Sequence, residues 1–288
     1  MKVLMIGAHQ DDVELRCGGL AALLKKNGHE VQFLSVSNGS GGHHKLSRPE
    51  IQARRAAESA KVAELLGIRY DVWSDVEDCE IQATLEMRRR MTRYIREAAP
   101  DVIITHRTND YHTDHRNTGM IVQDASYLLI VPNECPDVPA LKKTPVILHS
   151  EDAFTNPPFK ASVVVDIDET IEQKLKAVEA NVSQVYEWLA FTNGEEQDVP
   201  PESDPEARYK WLCGMEITQD TTDDEIRAAK RGYAVRFART AARFREELIE
   251  RYGEERGSKV RFAEAFAVCE YGGRLTDEQK KQLFFFEK

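Results

Sequence analysis

The chain has 288 residues, 41% of them hydrophobic and 31% charged, which suits one large globular domain or a domain with an extension and argues against a disordered chain. Its 49 acidic and 39 basic side chains give a formal charge of -10 with no long basic run, so nucleic acid and anionic membrane are disfavoured as main partners. The five cysteines, Cys17, Cys79, Cys135, Cys213 and Cys269, are odd in number and form no CxxC pair, which argues for a reducing compartment and against a thiolate zinc site. The first apolar run is too short for a signal peptide or a membrane span, and a cytoplasmic location is expected.

Val3-Leu4-Met5-Ile6 reads as a buried strand of a parallel sheet, with Gly7-Ala8 as its exit. The stretch that follows, His9-Gln10-Asp11-Asp12-Val13-Glu14, places a His and three carboxylates just before a helix predicted over Leu15 to Asn27. Carboxylates this close repel unless a cation offsets them, and His with Asp suits zinc. A solvated Asp-rich turn accounts for this loop equally well. Gly18-Gly19 inside the helix permits close approach of helix and sheet.

Val31 to Val36 is the second predicted strand. The Gly-rich loop Ser37 to His44 is expected to be mobile and able to close over a substrate, with His43 and His44 solvated. A helix follows over Ile51 to Leu66, stopped by Gly67. On it Arg55 lies three residues before Glu58, the spacing of a surface ion pair. Tyr70 to Trp73 is a third strand, Ile81 to Ala99 a helix ended by Pro100, and Val102 to Thr105 a fourth strand.

After that fourth strand comes Tyr111-His112-Thr113-Asp114-His115, then a helix predicted over Arg116 to Leu129. Two His-bearing loops at one edge of a parallel sheet can face each other across a crevice. Together they favour a metal site over two unrelated polar loops, since catalytic zinc takes three protein ligands and keeps one position open.

Residues 130 to 161 are irregular and Pro-rich, with strand-like pieces at Val146 to His149 and, just beyond, Ser162 to Val165. A helix is predicted from about Glu169 to Leu189, and a linker or flexible loop over Asn193 to Pro205. The capping box Thr222-Asp223-Asp224-Glu225 opens a long helix ending at Gly253. Its stripe of Ile226, Tyr233, Phe237, Ala241, Phe244, Leu248 and Tyr252 reads as core or subunit interface. Leu283-Phe284-Phe285-Phe286 is expected to pack in a groove or against a partner chain.

The strand–helix alternation of the first half favours a right-handed, doubly wound parallel sheet. There is no GxGxxG, which speaks against a nucleotide-binding module. The expected fold is a Rossmann-like α/β sandwich over residues 1–192, with a mainly helical extension over 193–288 packing on it.

The pairing of AHQDDVE, a GG-containing helix and HTDH about a hundred residues on resembles the PIG-L/LmbE-like family of zinc-dependent N-deacetylases. The likeness spans roughly residues 1 to 190, with a weaker echo at Phe262-Ala263-Glu264-Ala265-Phe266. Gln10 and Thr113 stand where the family motifs have Pro. The resemblance implies one Zn2+ per chain held by His9, Asp12 and His115, and a small N-acetylglucosamine-like sugar conjugate as substrate. It also implies an Arg near position 55 that contacts the sugar; Arg55 is the candidate, and Arg54 is its neighbour. In the chemistry expected, Asp11 takes the proton from the attacking water. His112 stabilises the oxyanion or protonates the leaving amine, and Asp114 orients His112. Glu14 is expected to hold the loop through backbone N–H groups, and Tyr111 to pack. A homo-oligomer is expected. The competing readings are a two-metal phosphoesterase and a metal-binding protein without catalysis.

Overall fold

Consecutive residues of the first strand fall into two different apolar clusters, Val3 and Met5 in one, Leu4 and Ile6 in the other. The same alternation holds at Phe33 and Leu34, at Ile103 and Ile104, and at Ile147 and Leu148. A sheet buried on both faces needs helices on both. The computed structural model, which describes residues 1–285, has that three-layer α/β architecture.

In chain order the elements are β1 (Lys2–Gly7), α1 (Asp12–Lys26), β2 (Glu30–Ser35), α2 (Arg48–Leu66), β3 (Arg69–Val72), α3 (Leu85–Ala98), β4 (Val102–Thr105) and α4 (Thr113–Ser126). After the irregular stretch come β5 (Val146–Ser150), β6 (Val163–Asp166), α5 (Ile171–Glu179) and, near the end, β7 (Ala263–Val268). The sheet order is β3-β2-β1-β4-β5-β7-β6. Pairing is parallel from β3 through β5, and β7 runs antiparallel to both β5 and β6. Helices α1, α2 and α5 cover one face, and α3 and α4 the other.

β1 therefore lies between β2 and β4, so the chain leaves β1 toward opposite sides of the sheet on either side of this point. The crevice outside the strand ends at such a switch is where open α/β sheets bind ligands. Val3 opposite Val102 and Met5 opposite Ile104 put the two exits level.

Four expectations need correction. The predicted helix over Glu169 to Leu189 is two pieces. After α5 the chain breaks near Asn181 and continues as a wide π-helical turn, Ser183–Trp188. Glu58 causes this locally, because its carboxylate takes the Ser183 N–H at 2.8 Å and the Ser183 hydroxyl at 2.6 Å. The long C-terminal helix is likewise three, Asp223–Ala228, Tyr233–Arg243 and Arg245–Tyr252: Gly232, with φ 114°, separates the first two, and the chain leaves helical geometry again at Phe244. Its capping box is present, with Glu225 N–H donating to Thr222 Oγ1 at 3.2 Å, and most of its stripe is core. The third is β7, a strand within the region expected to be mainly helical, and it joins the core sheet.

The fourth concerns the Ser37–His44 loop, which is pinned rather than free. Asn38 N–H donates to the Val76 carbonyl at 2.9 Å and Gly41 N–H to Asp78 at 3.1 Å. His43 pairs with Glu187 at 2.8 Å, and His44 stacks on Phe191 at 3.9 Å, so neither is simply solvated. The expected linker is also tied down, with Glu196 paired to His44 and Lys45.

Leu283 and Phe284 are buried on this chain's own core cluster. Phe286 lies outside the described residues. No helix among the described residues is long and apolar enough to cross a membrane.

Candidate metal centre

Asp12 is the first residue of α1, and it shapes the turn that leads there. Its Oδ2 accepts the N–H of Ala8 at 3.0 Å and of His9 at 2.9 Å, both from the end of β1. That is the loop-holding role expected of Glu14. Glu14 is instead fully buried beneath the loop, where burial raises its carboxyl to about 8, and the Tyr70 hydroxyl is 3.4 Å away. Asp11, just before Asp12, is forced to φ 143°, a conformation a non-Gly residue adopts only when its surroundings hold it there. Arg55 does the holding: its guanidinium donates to Asp11 Oδ1 at 2.9 Å and to the Gln10 carbonyl.

The β4 exit meets this turn across the switch point. His9 and His115 ring centroids are 5.3 Å apart, and ligand atoms of His9, Asp12 and His115 all lie within 4.8 Å of one another. Each imidazole has one nitrogen committed to a carboxylate. His9 Nε2 is 3.2 Å from Asp114 Oδ2 and 3.1 Å from Asp78 Oδ1, while Nδ1 faces Asp12 Oδ2 at 3.6 Å. His115 Nδ1 is 3.0 Å from Asp110, while Nε2 is 3.2 Å from Asp12 Oδ1. A ligating His characteristically donates its second ring N–H to a carboxylate and turns the other nitrogen to the ion. Two imidazoles so tethered, facing one carboxylate, form a donor set that fits a divalent metal such as zinc.

The electrostatics agree with that fit. Burial opposes charge on both imidazoles. Even so, the Asp114, Asp12 and Asp78 carboxylates raise His9 well above its usual range, and Asp12 and Asp110 raise His115 to about 9. Burial alone would raise Asp12, but His115 and His106 hold it well below the ordinary carboxylate range. The cluster therefore calls for positive charge at its centre.

Two sequence expectations about side-chain partners are overturned here. Asp114 does not orient His112 with its carboxylate, which goes to His9 and to the Cys79 N–H at 2.8 Å; the Asp114 backbone N–H donates to His112 Nδ1 at 3.1 Å instead. Arg55 makes no surface pair with Glu58. It is 2% exposed, and Glu58 pairs with Arg54 at 3.4 Å. Tyr111 is also not packed: it is 71% exposed at the rim, its ring 5.5 Å from that of His115.

The site opens into a cleft of about 230 Å³ walled by Asp11, Arg55, Asp78 and His112, with Trp188 and Arg236 from later in the chain. A wider hollow of about 530 Å³ beside Trp211 and Arg231 has no His or carboxylate in its wall. Residues the sequence reading passed over include Asp78, His106 and Asp110. The available signal was position, since His106 follows β4 directly and Asp78 sits in the β3 exit loop on the same edge. His106 Nε2 is 3.1 Å from Asp12, and its ring stacks on His115 at 4.3 Å. Gly119 on α4 lets this segment approach, since a Cβ there would stand 2.6 Å from the His106 carbonyl.

A model of the GlcNAc-PI de-N-acetylase family, PIG-L, matches residues 4–126. The chain is 30% identical over 199 residues to the diacetylchitobiose deacetylase of Thermococcus kodakarensis, covering 65% of this chain and 71% of that protein. The chain belongs to the PIG-L family. Another relative, the 4-oxalmesaconate hydratase of Pseudomonas putida, is 21% identical over 197 residues, 66% of this chain and 76% of that one. Among solved structures, the N,N'-diacetylchitobiose deacetylase of Pyrococcus horikoshii superposes with TM-score 0.66 at 22% identity, over 94% of this chain and 84% of that one. The 4-carboxy-2-hydroxymuconate hydratase of Pseudomonas putida gives 0.68 at 15% identity, over 96% and 98%. Both share the fold. In this PIG-L member Gln10, at the position expected to be Pro, is fully buried, and its Nε2 donates to the Asn38 carbonyl at 3.1 Å. The turn is fastened by a hydrogen bond between strand exits instead of by a fixed φ.

Proposed function

We propose that this protein is a divalent-metal-dependent N-deacetylase, acting on an N-acetylglucosamine-like sugar or its conjugate. One observation carries the reading: His9, Asp12 and His115 converge their ligand atoms within 4.8 Å, at the wall of a cleft that Asp11 also lines. The diacetylchitobiose deacetylase relative supports the reaction class. His9, Asp12 and His115 would hold one ion, zinc in this reading, and a bound ion supplies Lewis acidity toward water and toward an amide carbonyl.

The rest falls to this chain's own side chains. Asp11 accepts the proton of the attacking water. Burial raises its carboxyl above the usual value against the opposing Arg55 charge, which makes it a better acceptor than a free Asp. Its strained backbone and the Arg55 contact fix its direction. His112 receives the Asp114 N–H at Nδ1, so the neutral ring carries its proton on Nε2. In this reading that N–H hydrogen-bonds the oxygen that gains charge as the amide is attacked. Arg55 acts on Asp11; a direct sugar contact is the further role this reading gives it.

The test is amine release from N-acetylglucosamine and its conjugates by the metal-loaded protein. Turnover is expected, and Asp11→Asn should reduce kcat by at least about a hundredfold, within the range general-base catalysis contributes, while the metal stays bound. Full turnover by Asp11→Asn would remove it as the base. Hydration without amine release would move the site to the chemistry of its hydratase relative.

A further inference from the structure

Three arginines reach the cleft, and among the described residues only Arg55 is engaged by a carboxylate there. Arg16 lies four residues after Asp12 on α1, hence on the same face of that helix. Among the described residues its side chain donates one hydrogen bond, to the Glu151 backbone carbonyl. Arg236, on the helix Tyr233–Arg243, has no side-chain hydrogen bond or ion pair among the described residues. The carboxylates around it are taken. Glu151 accepts from Thr240 at 2.7 Å and pairs with Arg243 at 2.9 Å, and Glu264 pairs with Lys174 at 2.6 Å.

Arg16 and Arg236 both line the cleft and also a narrow recess that Glu151 and Lys174 help to wall. Arg236 is an exposed residue of the cleft wall, yet crowding by protein, and then the Arg16 charge, draw it down to about 10. Two like charges held together beside a catalytic centre are relieved by an anion between them, and guanidinium forks match carboxylate and phosphate oxygens.

We propose that Arg16 and Arg236 receive an oxyanion, a carboxylate or a phosphate, carried by the substrate beside its N-acetyl group. This deepens the deacetylase reading and rests on it for the word substrate. The pair sets specificity and takes no part in bond breaking. It favours an acidic sugar derivative over a neutral oligosaccharide.

The experiment compares kcat/KM for amine release from neutral N-acetylglucosamine and N,N'-diacetylchitobiose, from N-acetylglucosamine 1- and 6-phosphate, and from N-acetylmuramic acid. At least one anionic compound should exceed the neutral ones by about tenfold or more, and the phosphate and carboxylate arms show which oxyanion is read. Arg236→Gln should cut that ratio about tenfold. It breaks no side-chain hydrogen bond among the described residues, and Arg16→Lys, which keeps the charge, should retain part of the preference. Neutral compounds turned over as well as anionic ones, or a preference unchanged in Arg236→Gln, would overturn the proposal. If no compound releases amine, the deacetylase reading fails separately. The arginine pair is then judged by calorimetric titration with inorganic phosphate. Binding weakened about tenfold in Arg236→Gln supports it, and equal binding, or none to the wild type, refutes it.

Discussion

Asp110 has no contact with the cleft contents in the chemistry above, yet it decides which nitrogen of His115 is free. Replacing it by Ala removes the partner of Nδ1 and lets the ring turn. Metal affinity should fall by about 10- to 100-fold, the range for second partners of ligating imidazoles, with the fold intact. Competition with a chromophoric chelator measures this, and unchanged affinity would show that the ring is held by packing alone. Asp168 provides a residue-scale test far from the site. Burial and the neighbouring Asp166 raise its carboxyl to about 6, despite N–H donation from Arg261 and Phe262. Between its unfolded value near 4 and about 6 the unfolded chain releases this proton and the folded chain keeps it, so stability falls as pH rises through that window and levels above it. In Asp168→Asn that contribution should vanish, which urea unfolding at pH 4 and pH 7 would show. At this scale the motif residues were legible because His and Asp clustered in sequence. Asp78, His106 and Asp110 were not, because each stands outside those motif runs and gains its partner only when the strand exits meet.

Helices α1 and α4 act as supports that set distances at the centre. Gly119 is where α4 passes the β4 exit, and Gly119→Ala would push a methyl onto the His106 carbonyl at 2.6 Å. Backbone cannot yield there as a side chain would. A loss of about 1–3 kcal/mol is expected, together with weaker metal binding because His106 and His115 shift; thermal melts with and without added zinc measure both. On the opposite face, Glu264 of β7 pairs with Lys174 of α5 at 2.6 Å and accepts the N–H groups of Gly19 and Leu20 at 2.8 and 2.9 Å. Glu264→Ala would strand a buried ammonium, costing about 3–5 kcal/mol. Urea unfolding reads it directly, and a change under about 1 kcal/mol would mean the Lys174 contact with Phe237 suffices. β7 escaped the sequence reading because Ala263-Glu264-Ala265 has weak strand propensity and an apparently solvated acid. The tertiary partner that explains Glu264 is ninety residues away. The break after α5 was hidden for the same reason, since Glu58 acts across elements.

Taken as a whole, the molecule turns strand order into chemistry. β1 and β4 are neighbours in the sheet though about a hundred residues apart in sequence, and their level ends bring two ordinary-looking loops to one point. The alternation of strands and helices in the first half made this sheet readable in advance. The chain's second half was less so, because its helices are short and broken at Gly232 and its strand pairs antiparallel into the far side of the sheet. Elemental analysis of the purified protein and two variants tests the central claim most directly. One divalent ion per wild-type chain is predicted, retained in Asp11→Asn and largely lost in His115→Ala. Full occupancy in His115→Ala, or a wild-type chain that takes up no divalent ion, would contradict it.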